Sequence, residues 1–323
     1  MVEFDIYKKK YGKSFIYVHI DGERVTDKTI LKYCKELYFP PAYKNICINS
    51  DINAKRYGVA TDEKNRKQFF YTKEWCENAQ HEKSKQIYKF SKYICRLKKD
   101  LFQLLDSPIS KPHLISLALL LIIECNFRIG SEEGVENYQS YGVTTLKKSH
   151  FELKNKKYHV SFTGKKGVIN ENIIKNQCIN KAIHNLIRKN KNNEIFNFKC
   201  KDTNQIFKIS NKDVNSFLKQ YGDFSSKNLR TWMANIWFLT FVKKQLQKYP
   251  KYEKFSSHRT KIIKNSIDLT AKKLHHTAII CKKSYLFYDL WHSFYKNPSY
   301  FMSLRSPKSF LIEYLKNIHK KKL

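Results

Sequence analysis

A chain of 323 residues has room for two domains and a sizeable core, and its 22 Phe and 21 Tyr argue against disorder. Its 62 Lys plus Arg against 28 Asp plus Glu leave a formal charge of +34, which points to a polyanionic partner, nucleic acid above all. Abundant Lys, Asn, Ile, Phe and Tyr beside scarce Gly (9), Pro (7) and Arg (nine) are the mark of A+T-rich coding, which explains part of the lysine excess but not the low acidic count.

From the N-terminus, Ser14–Ile20 (SFIYVHI) alternates as a strand, and Asn45–Asn49 and Lys67–Tyr71 are short, apolar and rich in β-branched or aromatic residues. A helix is expected over Lys28–Leu37, stopping at Pro40–Pro41. Residues 1–77 are therefore expected to form a β-rich domain. Around the polar stretch Glu77–Lys83 the character changes. Ile87, Phe90, Ile94, Leu97, Leu101 and Leu105 share one helical face, opening a mainly helical domain over 78–323. The apolar run Leu114–Ile123 reads as a buried core helix, about half the ~20 residues a membrane span needs. Between Tyr141 and Ile173, the segments VTTL, HFEL, KYHVSF and GVINENI read as a small antiparallel sheet, with hairpin turns at Asn155–Lys156 and Gly164–Gly167. Helical patterns return around 174–190, 211–220, 226–248, 261–274, 284–295 and 307–319. The expected fold class is α+β: a small β-rich N-terminal domain, then a mainly helical domain with a small antiparallel sheet.

Several chemistries lack their residues. There is no P-loop, GxGxxG or HExxH, and Glu132–Glu133 has no partners for a two-metal nuclease site. The eight cysteines (Cys34, Cys47, Cys76, Cys95, Cys125, Cys178, Cys200, Cys281) form no CxxC pair or Cys/His cluster, so reduced thiols in a soluble intracellular protein are expected. The opening MVEFDIYKKK lacks the apolar segment of a signal peptide. What remains is a basic protein with arginines in two informative places: Arg128 in Cys125-Asn-Phe-Arg-Ile-Gly130, and Arg230 in Lys227-Asn-Leu-Arg-Thr231. A guanidinium fork suits phosphate through bidentate, permanently charged donation. Taken singly, these arginines, the turn lysine Lys165, the pair His275–His276 and Tyr285 each have an ordinary structural explanation.

Their order and spacing carry more. Arg128, Lys165 on a β-turn, Lys227-x-x-Arg230, then His276 with Tyr285 nine residues on resembles the active site of type IB topoisomerases. The small enzymes of poxviruses, giant viruses and some bacteria are the most similar in size. Arg128-Ile-Gly-Ser-Glu-Glu133 followed by Ser140-Tyr-Gly-Val-Thr-Thr-Leu146 is similar to that family's arginine motif and the first strand beyond it. Phe39-Pro-Pro-Ala-Tyr43 and Asn65-Arg-Lys-Gln-Phe-Phe-Tyr71 resemble its DNA-clamping β domain. The chain departs from the pattern at His275, where the family often has Gly, and at Ser131 and Gly134, where it often has Lys or Tyr. Either adjacent histidine is open, and the nine-residue spacing favours His276.

The resemblance implies the tyrosine recombinase/topoisomerase IB catalytic fold, with Tyr285 as nucleophile, Arg128, Arg230 and His276 stabilising the phosphoryl transition state, and Lys165 as general acid. Arg66, Lys67, Gln68, Phe69, Tyr71, Lys166 and Lys227 would contact DNA. It implies duplex DNA as partner, a monomer clamping round it, and no metal, cofactor, nucleotide or membrane; a viral version would sit in the virion and the cytoplasmic viral factory. Tyrosine recombinases share a similar constellation, but there the second arginine usually follows a histidine as His-x-x-Arg, where this chain has Lys227. A non-catalytic packaging protein would explain the charge but not the ordered residues.

Overall fold

The computed structural model describes residues 3–190, 192–199 and 205–320. Two compact units divide between Glu82 and Lys83. The polar stretch 77–83 lies inside a continuous helix, α2 (Lys73–Ser91), rather than in a linker.

The first unit is a five-stranded antiparallel sheet with one helix. Its strands are β1 (Ile6–Tyr11), β2 (Ser14–His19), β3 (Lys44–Ile48), β4 (Arg56–Thr61) and β5 (Lys67–Tyr71), in the spatial order β2-β1-β3-β4-β5. β1 escapes a hydropathy reading because its sequence, IYKKKY, buries only Ile6. Helix α1 (Lys28–Glu36) begins where the Asp27 carboxylate accepts from the amides of Thr29 and Ile30 at 2.7 and 3.0 Å, and it ends ahead of Pro40–Pro41 as expected. Ile6, Tyr17, Val25, Cys34, Phe39, Ile48 and Ala60 make the core. Gly58 on β4 is dictated by the Phe39 ring, which would lie 2.7 Å from a Cβ there.

The second unit is built on helices. The face Ile87 to Leu105 is buried as its spacing predicts, yet it is split between α2 and α3 (Ile94–Leu105) by a tight turn at Lys92–Tyr93. Helix α4 (Lys111–Cys125) is buried nearly all round, which is why it reads as an unbroken apolar run. After α5 (Glu132–Tyr138) come β6 (Phe151–Lys154), β7 (Lys157–Thr163) and β8 (Ile169–Ile173), an antiparallel meander with turns at both expected places. Asn155 and Lys156 both take positive φ, 49° and 60°, as a two-residue hairpin turn requires.

One expected strand is absent. Residues 143–145 form a tight 3-10 turn, because the amides of Val143 and Thr144 are taken at 2.8 Å by the carbonyls of Arg128 and Ile129. A short pair, β9 (Asn197–Lys199) and β10 (Ile206–Lys208), follows α6 (Gln177–Lys189) and was not expected. The remaining helices are α7 (Asn211–Leu218), α8 (Ser226–Lys248), α9 (Ser256–Lys273), the single turn α10 (Ala278–Ile280), α11 (Tyr288–Lys296) and α12 (Pro307–Lys320). Among the described residues, no helix is long and apolar enough to cross a membrane, and the seven cysteines are free.

Candidate active site

Two helix C-termini and one helix N-terminus meet at the site. α4 stops at Asn126, whose φ of 58° turns the chain out of the helix and launches Phe127-Arg128. The segment is then pinned by the 143–145 turn. Gly130 and Gly142 stand backbone to backbone, so closely that a Cβ on Gly142 would lie 2.4 Å from the Gly130 nitrogen and 2.8 Å from the Arg128 carbonyl oxygen.

The end of α9 presents the histidines. His276 N–H donates to the Ala271 carbonyl at 3.1 Å and His275 N–H to that of Lys272 at 3.2 Å, while His275 sits at φ 53°. This is a Schellman cap, whose left-handed residue is ordinarily glycine. The cap separates the two rings. His275 lies against Phe127, with Nε2 3.4 Å from the Cys125 carbonyl oxygen. His276 instead stacks on Tyr285, ring centres 4.9 Å apart and planes within 7°.

Helix α8 supplies Arg230, which is 4% exposed. Its guanidinium donates to the Asn126 carbonyl and, at 2.9 Å, to the Leu274 carbonyl, while Arg128 donates to the His275 carbonyl at 3.1 Å. The arginines thus satisfy carbonyls left over at the ends of α4 and α9. Neither arginine is paired with a carboxylate among the described residues. Arg230 Nε and His276 Nε2 are buried without a hydrogen-bond partner. A buried cation and unpaired nitrogens are expensive unless an anion completes them.

Tyr285 closes the arrangement. It ends a wide turn, Cys281–Tyr285, in which the Leu286 amide reaches back five residues to the Cys281 carbonyl at 3.1 Å. The Arg230 guanidinium carbon lies 5.4 Å from the centre of the Tyr285 ring. Burial raises the phenol's pKa, but the charge of Arg230, reinforced by Arg128 and Lys227, outweighs it and brings the phenol below 10. His276 is pushed down to about 4, by burial first and then by Arg230 and Arg128, so it is neutral near pH 7.

Of the residues singled out by sequence, Tyr285, Arg230, His276 and Arg128 come together, with exposed Lys227 in the first turn of α8 close enough to act on the phenol. Lys165 and Lys166 lie exposed at the β7–β8 hairpin tip, and among the described residues neither makes a hydrogen bond or ion pair to these groups. On β5 the strand alternation divides the expected DNA contacts. Lys67, Phe69 and Tyr71 share the face opposite the core-facing Phe70, with Tyr71 stacked on Trp75 at 4.1 Å. Gln68 and Arg66 donate to the Asp62 carboxylate, Gln68 at 3.0 Å and Arg66 from Nε at 2.9 Å.

Comparison with known proteins gives the family. Residues 68–289 match the family described as eukaryotic DNA topoisomerase I, catalytic core, and residues 14–56 match the bacterial DNA topoisomerase IB N-terminal domain. The chain is 30% identical to DNA topoisomerase 1B of Acanthamoeba polyphaga mimivirus over 325 residues, covering 98% of this chain and 95% of that one. The chain belongs to the type IB DNA topoisomerase family. DNA topoisomerase 1B of vaccinia virus (strain Copenhagen) is 27% identical over 71% of the chain and 69% of its own length. DNA topoisomerase 1 of Mycosarcoma maydis is 24% identical over 50% of the chain and 18% of its own.

Sequence reasoning missed Asn235, which shapes this candidate site. Asn235, fully buried on α8, donates to the Tyr285 carbonyl at 3.0 Å and accepts from the Phe287 amide at 3.1 Å. Its only sequence signal is a polar residue on the buried face of a helix, which does not separate such a clamp from an ordinary core hydrogen bond.

Proposed function

We propose that the chain relaxes supercoiled duplex DNA by transient cleavage of one strand, with Tyr285 forming a 3′-phosphotyrosyl bond. The observation that carries this reading is the buried, carboxylate-free Arg230 beside Tyr285, with unpaired nitrogens on Arg230 and His276 flanking the same ring. A phosphodiester is the anion that would complete them. Tyr285 Oη attacks phosphorus in line, the P–O5′ bond breaks, the phenolic proton is lost and O5′ gains one. Arg128, Arg230 and His276 stabilise the charge on the non-bridging oxygens. Lys165, on its exposed hairpin tip, supplies the proton to O5′.

A phosphodiester is exchanged for a phosphotyrosine ester of similar energy, so resealing needs no ATP, and side-chain cations meet the charge without a metal. Between the two steps the downstream duplex rotates. The β-rich unit contacts DNA through Lys67, Phe69 and Tyr71 and the catalytic unit through Lys166 and Lys227, a monomer holding the duplex mainly by phosphate contacts. Arg66 and Gln68, tied to Asp62, serve by setting the turn that leads into β5.

The decisive measurement is relaxation of a supercoiled plasmid in EDTA without ATP, expected for the wild-type protein and lost in Tyr285→Phe. Failure of folded, DNA-binding protein to relax the plasmid would refute the proposal, and recombination between paired sites would turn it into the recombinase reading. For the general acid, Lys165→Ala should cleave a 5′-bridging phosphorothiolate nearly as fast as wild type does, since sulfur leaves without a proton; no rescue removes Lys165 from that role.

A further inference from the structure

Lys83 on α2 stands outside the residues carried over by resemblance. Its Nζ donates to the carbonyls of Ser284 and Leu286, each at 3.3 Å, and lies 5.7 Å from the centre of the Phe287 ring. No carboxylate pairs with it among the described residues. Burial pushes its ammonium down to about 8, and the like charge of Lys227 adds to the shift. A half-buried lysine whose charge is met by main-chain carbonyls and a ring rather than by a carboxylate is costly to hold.

The two carbonyls bracket the one belonging to Tyr285, and Asn235 takes the one between. Three successive carbonyls, those of Ser284, Tyr285 and Leu286, are therefore each met by a donor from outside the turn, on α2 or α8. This is where outside support is needed. The wide turn ends at Tyr285, and α11 does not begin until Tyr288.

We propose that Lys83 is a positioning residue for Tyr285: a two-point latch on the main chain either side of the phenol, fixing its line of approach to phosphorus without touching the DNA. The role rests on Tyr285 being the nucleophile. Near-attack geometry is steep in distance, and a displacement of about 1 Å can cost about 100-fold in rate.

The test compares the full-length wild type with Lys83→Met, which keeps the unbranched stem but not the donors, and Lys83→Arg, which restores donors. In the free proteins, hydrogen exchange of the segment 281–290 is read by mass spectrometry. Lys83→Met is expected to exchange at least tenfold faster there, with the peptides of β6–β8 unchanged, and Lys83→Arg to be intermediate. Covalent attachment to saturating plasmid, trapped with detergent, is expected to slow about 30-fold in Lys83→Met and to recover to within about fivefold of wild type in Lys83→Arg. DNA affinity, measured in the Tyr285→Phe background to block attachment, should stay within about twofold. Unchanged exchange at 281–290 overturns the latch. Faster exchange with wild-type attachment overturns its role in positioning. A wild type that forms no adduct refutes the nucleophile reading itself, and the exchange arm, which needs no cleavage, tells that failure apart.

Discussion

Arg230 is held in the core by the carbonyls of Asn126 and Leu274 and, among the described residues, pairs with no carboxylate, so its charge is available to an incoming anion and to Tyr285. Removing it in Arg230→Ala should lower single-turnover cleavage by roughly 100- to 1,000-fold, the scale of losing one preorganised transition-state donor. Arg230→Lys keeps the charge but not the fork and should recover little of that loss. The histidines predict a pH dependence. His275 and His276 are both pushed down to about 4 by burial, with Arg230 and Arg128 adding, against an ordinary 6.5. Above pH 6.5 both are neutral folded or unfolded, and stability is fully present. As pH falls from 6.5 towards 4, the unfolded chain takes up protons that the folded site refuses, and stability is lost, by up to ~3 kcal/mol per histidine at 1.36 kcal/mol per unit. His113 and His150, also lowered by burial, add to the same window, whereas Asp62, drawn down to about 2 by Arg66, acts only below it. Urea midpoints should fall as pH is lowered through 6.5 towards 4, and a His275→Gln/His276→Gln protein should fall less steeply. An equal slope would mean that the two rings are protonated in the folded state.

At the level of elements, the site depends on how chain segments end. The Arg128 segment is fixed by the backbone contact of Gly130 with Gly142, and a methyl on Gly142 has no flexible side chain to displace, only main chain. Gly142→Ala should therefore separate the segment from the 143–145 turn. The expected cost is about 2–4 kcal/mol of stability and at least a tenfold loss of cleavage, read by thermal denaturation and single-turnover rates on one preparation. These devices set the limit of what the sequence discloses. Periodicity finds α4 and the face from Ile87 to Leu105, since burial imposes spacing directly. It does not find the break at Lys92–Tyr93, because residues on both sides keep the same face buried. The strand expected at VTTL fails because its amides bond to the Arg128 segment, a long-range pairing with no local signature. The helix expected over 284–295 does not begin until Tyr288, because the end of the wide turn Cys281–Tyr285 has no local signature and the donors that hold it, Asn235 and Lys83, come from distant helices. The grouping of Arg128, Arg230, His276 and Tyr285 was legible through order and spacing matched to a family, and the nine-residue spacing already favoured His276. What spacing does not disclose is the Schellman cap that turns the His276 ring, rather than that of His275, onto Tyr285.

For the molecule as a whole, the question is how much of the +34 charge is function and how much is coding bias. A bias-driven surface and a binding surface differ in their response to salt. Each phosphate neutralised by a specific contact adds about 0.9 to the slope of log K against log salt, whereas a diffuse excess of lysine raises affinity at low ionic strength without a mapped contribution from any one residue. In the Tyr285→Phe background, where attachment cannot mask equilibrium binding, duplex affinity should fall steeply with salt. Lys67→Ala, Lys166→Ala and Lys227→Ala should each reduce the slope by about one. Lys244, exposed near the far end of α8 from Arg230, serves as the control, and Lys244→Ala should leave the slope unchanged. Lys227 carries a further mark, because it also lowers the Tyr285 phenol. Its removal should slow cleavage at saturating DNA as well as weaken binding, while Lys67→Ala should weaken binding alone. If Lys244→Ala lowers the slope as much as the other three, the duplex is held by a general field, and the proposed contacts on β5, the hairpin tip and α8 fall together.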